Sequence, residues 1–204
     1  MEDKASKIFT LKNSNTAEYK EKSSLFIAKA FPVSSEEEFE SGLQAIKKEH
    51  YKARHHCYAF RLPDLFRYSD AGEPSGTAGI RILNAIDHFN MMYAGIVVVR
   101  YFGGVKLGAG PLGKAYYTSA YDSLKDAGVL EKHLCNKVSV RCPITEQHSV
   151  FSLLGRAGVG DIKTSYGDEY TFEFILKREL LPGLLSLSAN MHKIKITLGE
   201  EIYI

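Results

Sequence analysis

The sequence predicts an α+β protein of two domains, and three observations carry that reading. Apolar runs rich in β-branched residues alternate with segments whose apolar residues recur at helical spacing. After Leu134 the pattern restarts, and about seventy residues read β-α-β-β-α-β, the split βαβ plan of ferredoxin-like folds. The chain has 204 residues, 45% hydrophobic and 25% charged, which is above the usual single-domain size and enough to bury a core. The boundary is expected near His133–Asn136, dividing the chain into 1–134 and 135–204.

Taken in order, Phe26–Val33 reads as a strand. Ser35 and Glu38 have the spacing of a capping box, after which Phe39, Leu43 and Ile46 line one face of a helix. His55–Leu62 is strand-like and aromatic, and Ser69–Gly79 (SDAGEPSGTAG) is a loop. Ile82, Leu83, Ile86 and Phe89 then fall at helical spacing. Gly95–Phe102 (GIVVVRYF) is the clearest strand, followed by a second loop, Gly103–Gly110. Pro111 suits the first turn of a helix that Gly128 would end. In the second half, strands at Lys137–Cys142 and Gly160–Ser165 flank a helix at Glu146–Ala157. A strand at Tyr170–Lys177, a helix at Glu179–Ala189 that must accommodate Pro182, and a strand at Lys193–Ile204 complete the plan.

Composition excludes several classes. The N-terminus is polar, with no apolar run of signal-peptide type, and no stretch approaches the roughly 20 apolar residues of a membrane span. Three cysteines, Cys57, Cys135 and Cys142, do not make a disulfide framework and point to the cytoplasm. His133, Cys135, Cys142 and His148 lack zinc spacing, so no metal is expected and no cofactor either. The net charge of +2 is small, yet His50–Ser119 holds eight Lys and Arg against four Asp and Glu, whereas the residues from Cys135 onward balance eight with eight. The cationic surplus therefore sits with the glycine loops.

A glycine-rich loop that opens a helix gathers unpaired N–H groups at the positive end of the helix dipole, where an anion can approach closely. Here that occurs twice. Ser75, Gly76 and Thr77 would supply donors in the first loop, with Arg81 a turn later. Gly103, Gly104, Gly108 and Gly110 would supply them in the second, with Arg100, Lys106 and Lys114 as cations. Gly108–Gly113 matches GxGxxG, and Gly108–Lys114 matches most of GxxxxGK. A nucleotide site is nevertheless not indicated: Ala115 replaces the Mg²⁺-binding hydroxyl, and Pro111 removes an N–H.

Two alternatives stay open beside anion binding. Asp70 and Glu73 could form an acid/base group with His55 or His56. Equally, Asp70 could make an Asx turn while Glu73 caps backbone amides. Tyr101, Phe102, Tyr116, Tyr117 and Tyr121 could stack on bases, or simply fill the core.

Arg54–Arg61 (RHHCYAFR), Ser69–Gly79 and Val99–Gly108 (VRYFGGVKLG) resemble the signature of the YigZ/IMPACT family, and Ser24–Ala28 resembles its N-terminal strand. The resemblance implies a ribosomal-protein-S5 domain 2-like domain followed by a ferredoxin-like domain similar to the last domain of elongation factor G. Both folds recur in proteins that touch RNA or the ribosome, so RNA, the ribosome or a phosphate-bearing ligand is the implied partner. The S5-like fold also occurs in small-molecule kinases, which implies the alternative of an enzyme acting on a phosphorylated or carboxylated small molecule. Eukaryotic members are translational regulators that act through protein contacts, which leaves a protein-interaction module as a third reading. One departure is local: where the family usually has Gly-Gly-Leu and a basic residue, this chain has Gly110-Pro-Leu-Gly-Lys114.

Overall fold

The computed structural model describes residues 4–204, which form a mixed α/β protein with two antiparallel sheets. The chain divides into two compact units: Phe9–Glu131, and the residues up to Ile8 together with Lys132–Ile204.

The first unit contains the strands β2 (Asn15–Glu21), β3 (Ser24–Pro32), β4 (His55–Arg61), β5 (Phe66–Ser69) and β6 (Ala94–Tyr101), preceded by β1 (Lys7–Leu11), and the helices α1 (Glu36–Glu49), α2 (Gly79–His88) and α3 (Ala109–Ala127). Its sheet has the order β2-β3-β6-β4-β5, antiparallel throughout. β6 is central and apolar on both faces, because each face meets helices. Phe26, Ala28, Ile96 and Val98 pack on Ile82, Ile86, Tyr116 and Leu124 of α2 and α3. On the other face Ile27, Val97 and Val99 pack on Phe39, Leu43 and Ile46 of α1. A central strand covered twice needs a continuous apolar run rather than alternation.

α1 begins as its spacing requires, with Ser35 Oγ accepting the Glu38 amide at 3.2 Å. The reciprocal half of the box is shifted by one residue: the Glu38 carboxylate takes the amide and hydroxyl of Ser34.

The second unit contains β7 (Val129–Cys142), α4 (Gln147–Arg156), β8 (Lys163–Tyr166), β9 (Tyr170–Lys177), α5 (Leu181–Ser188) and β10 (Lys195–Tyr203). The strand order is β10-β7-β9-β8, with β1 also on β7. Val138, Val140, Phe172 and Phe174 pack against Val150, Leu154 and Leu184. The opposite side carries exposed Lys137, Arg141, Lys163 and Lys195. Pro182 lies in the first turn of α5, where it costs no hydrogen bond. His133–Asn136 lie inside β7, so the chain passes between units as a strand and not as a linker. The Tyr203 hydroxyl donates to the Ala5 carbonyl at 2.9 Å, which ties this unit to its own distant N-terminal residues. No helix among the described residues is long and apolar enough to cross a membrane.

Candidate functional site

The two glycine loops share a composition but not a construction. In the first, Ala71 (φ 44°) and Gly72 (φ 85°) both take left-handed conformations and turn the chain back over itself. The Asp70 carboxylate then accepts three amides: Ala78 and Gly79 on Oδ1 at 2.9 and 2.8 Å, and Gly76 on Oδ2 at 2.9 Å. α2 has no capping side chain at Ala78, so Asp70 caps it from outside the helix. Burial alone would raise the Asp70 pKa, but the three amide bonds outweigh it and hold the group below its ordinary value. The donors that an external anion would use are therefore engaged by an internal one. The Thr77 hydroxyl is likewise turned onto the Pro74 carbonyl at 2.6 Å.

Beneath this loop lies a buried polar cluster. Arg100 Nη1 donates to both Glu73 oxygens, at 2.7 and 3.0 Å, with the two side chains only 6% and 4% exposed. The Tyr116 hydroxyl donates to the same carboxylate at 2.8 Å, and the Cys57 thiol lies 3.3 Å from that hydroxyl and 3.0 Å from the Asp70 carbonyl. Burial pushes the Cys57 thiol up to about 12, so it is held as an unreactive neutral group. Burial, followed by its neighbours Cys57 and Glu73, raises Tyr116 well above the usual phenol range.

The second loop is pinned differently. At Gly103 a Cβ would lie 1.9 Å from the Ser23 carbonyl oxygen, so only glycine lets the two segments pass. α3 then starts at Ala109 with no side-chain cap, its preceding residue Gly108 being at φ 82°, ψ 158°. Beside this helix start is a cleft of about 860 Å³. Lys52, Arg54 and His55 line it from the entry to β4, Glu73 and Pro74 from the first loop, and Arg100, Phe102, Lys106, Gly108 and Ala109 from β6 and the second loop. The two loops thus meet at one cleft. Among the described residues its lining holds four cations against a single carboxylate, Glu73, already bound to Arg100.

Several sequence expectations change on this geometry. Asp70 caps the amides that Glu73 was expected to cap, while Glu73 neutralises a buried arginine, so neither is an available acid or base. Arg100 reaches the cleft wall but its charge is taken up by Glu73. His56 pairs with Val99 on the α1 side of the sheet; burial is the main cause lowering its pKa, opposed by a hydrogen bond to the His50 backbone. His55 alone among the four acid/base candidates keeps a usable nitrogen. Its Nδ1 lies 3.0 Å from the Ala71 carbonyl, which can only accept, so Nδ1 carries a proton and Nε2 is the nitrogen left for other partners.

Lys106 and Gly108 line the cleft as cation and backbone donor candidates, whereas Ser75, Gly76, Thr77, Gly103, Gly104 and Gly110 do not. Arg81 and Lys114 also lie outside its lining: Arg81 runs along α3, its Nε 3.3 Å from where a Gly113 Cβ would be, and Lys114 is exposed on that helix. Among the aromatics, Tyr116 is buried, Tyr117 and Tyr121 stack on one another, and Tyr101 meets His50. Phe102 alone is both exposed, at 53%, and in the cleft wall. Lys52 and Arg54 were not among the expected anion ligands. Their signal was present, as two cations just ahead of the HHCYAFR strand, but no glycine loop stands beside them in the sequence.

Residues 22–124 match the Impact N-terminal domain. The chain is similar to IMPACT family member YigZ of Escherichia coli (strain K12), 31% identical over 166 residues that make up 79% of each chain. It is 40% identical over 129 residues to IMPACT family member YvyE of Bacillus subtilis (strain 168), covering 62% of this chain and 59%, less than two thirds, of that one. It is 42% identical over 131 residues to an IMPACT family member of Thermus thermophilus, covering 64% and 72%. Among solved structures it resembles the crystal structure of a hypothetical protein with a TM-score of 0.67 and 25% identity, covering 96% of this chain and 98% of that one. With its domain match lying over both glycine loops and the cleft between them, the chain belongs to the IMPACT family.

Proposed function

We propose that the cleft binds the phosphate backbone of RNA, in keeping with a translation-associated regulatory role. One observation carries this reading: Lys52, Arg54 and Lys106 converge on an uncapped helix start in a cleft whose one lining carboxylate is already neutralised. Surface cations and helix amides are the usual donors to phosphate oxygens, and a surplus of positive charge in a concave site concentrates anions. The volume also suits a bound nucleotide segment, within the range of about 300–1,000 Å³ typical of ligand sites. The fold gives further support. We read the second unit, with its strand order β10-β7-β9-β8, as ferredoxin-like and the first unit as S5 domain 2-like. Fold alone does not assign the ligand.

An enzyme is the second reading, and His55 is the observation that favours it. A lone imidazole without an available partner acid makes it the weaker of the two, because Asp70 and Glu73 are engaged elsewhere.

The test is a titration of the full chain with RNA across a series of salt concentrations. Affinity is expected to fall steeply with salt, and Arg54→Ala with Lys106→Ala should lower the slope by about one for each phosphate left without its cation. Arg81→Ala and Lys114→Ala, outside the cleft lining, should leave it unchanged. Equal effects from both pairs of substitutions would sink the assignment to this cleft.

A further inference from the structure

Phe102 is an exposed aromatic side chain held in place from behind. The Arg100 guanidinium lies between two rings, 5.4 Å from the centroid of buried Phe26 and 5.5 Å from that of Phe102. Arg100 is itself fixed by Glu73, which Tyr116 also holds. The residue after Phe102 is Gly103, whose backbone is pinned against Ser23 and donates to Ser24 Oγ at 3.4 Å. An aromatic ring half open to solvent normally loses rotamer freedom on binding, and a ring already fixed by a cation–π interaction and an anchored backbone loses less. Lys106 and Lys52 line the same cleft as the ring.

We infer that Phe102 is a stacking platform for a nucleobase, and that the cleft recognises a base joined to its phosphate and not polyphosphate charge alone. This rests on the proposed phosphate site and adds to it a preference for unpaired nucleotides. A duplex keeps its base faces covered, whereas a single strand or a free nucleotide presents them. The inner face of Phe102 is occupied by the guanidinium, so one base stacks, on the outer face. The preference is for class and not for sequence, because every base has a π-face.

The experiment measures binding of the full chain to four probes at one salt concentration: a short oligouridylate, the same RNA in a duplex, linear polyphosphate of matched charge, and uridine monophosphate. The wild-type chain should bind the single strand more tightly than the duplex. Phe102→Ala should weaken single-strand binding by about 5- to 150-fold, the range for loss of one base–aromatic stack, and leave polyphosphate binding within about twofold. Phe102→Tyr should restore binding, and Phe102→Leu, which keeps apolar bulk and supports the fold, should not. Parallel loss for polyphosphate, or equal rescue by leucine, overturns the inference. Displacement of the oligouridylate by uridine monophosphate would identify a free nucleotide as the source, and no displacement a strand; in either case the base stays on Phe102 only if Phe102→Ala loses it. The two readings fail separately. If Arg54→Ala and Lys106→Ala leave polyphosphate binding intact, the phosphate site is wrong; if they weaken it while Phe102→Ala changes nothing, only the stacking is wrong.

Discussion

The first glycine loop and the second read alike in sequence, yet one is closed and the other open. In the first, the Asp70 carboxylate sits where an external anion would sit, and three amides close on it. In the second, α3 begins at Gly108–Ala109 without a capping side chain and faces a cationic cleft. A glycine-rich helix start is therefore an anion site only if the chain does not supply the anion itself. The deciding residue in the first loop lies six positions before the first amide that it binds.

Substitutions can break or sharpen this contrast, and the largest effect is expected under the first loop. Glu73→Gln keeps the shape but leaves Arg100 buried without its counter-charge, which should cost about 3–5 kcal/mol in denaturant unfolding. Adding Arg100→Met should recover part of that loss; a double variant no more stable than the single one would contradict the charge explanation. Next is Asp70→Asn, which weakens the charge-assisted cap of α2 and should cost about 2–3 kcal/mol.

The same carboxylate sets a pH dependence. Its folded pKa lies below the ordinary aspartate value of about 3.9, so its stabilisation is complete above that value and is lost as pH falls through the folded pKa. An acid-unfolding profile of Asp70→Asn should lack this component; an unchanged profile would show that the cap is not coupled to folding. In the second loop, Gly108→Ala must adopt φ 82° and ψ 158°, a region almost confined to glycine, and should cost about 1–3 kcal/mol. Smallest of all, Lys106→Ala should change thermal stability by less than about 0.5 kcal/mol, because the side chain is exposed.

Much of the fold was legible. Ser35 with Phe39, Leu43 and Ile46 marks α1 because capping and helical period agree, and GIVVVRYF marks β6 because a strand covered on both faces must be apolar throughout. The edge strands were not legible. β2 (NTAEYKE) and β5 (FRYS) carry mostly polar or exposed residues and owe their strand form to the neighbours β3 and β4. At the site, the cations and glycines could be read, but their partners could not. That Glu73 neutralises Arg100 depends on the sheet bringing β6 beside the first loop, and no local spacing encodes it.

The hydrogen bond between Tyr203 and Ala5 has a consequence for how the chain is made. The two residues are 198 positions apart, so this bond between β10 and the residues ahead of β1 cannot form until β10 has been synthesised. The intervening Phe9–Glu131 unit can bury its own core long before that, as ribosomal synthesis delivers about 5–20 residues per second. β1 can pair with β7 within that interval, and β10 joins β7 only after it. The addition of β10 to β7 is in this sense a late step, and expressing residues 135–204 alone would remove β1 and the start of β7 from this sheet.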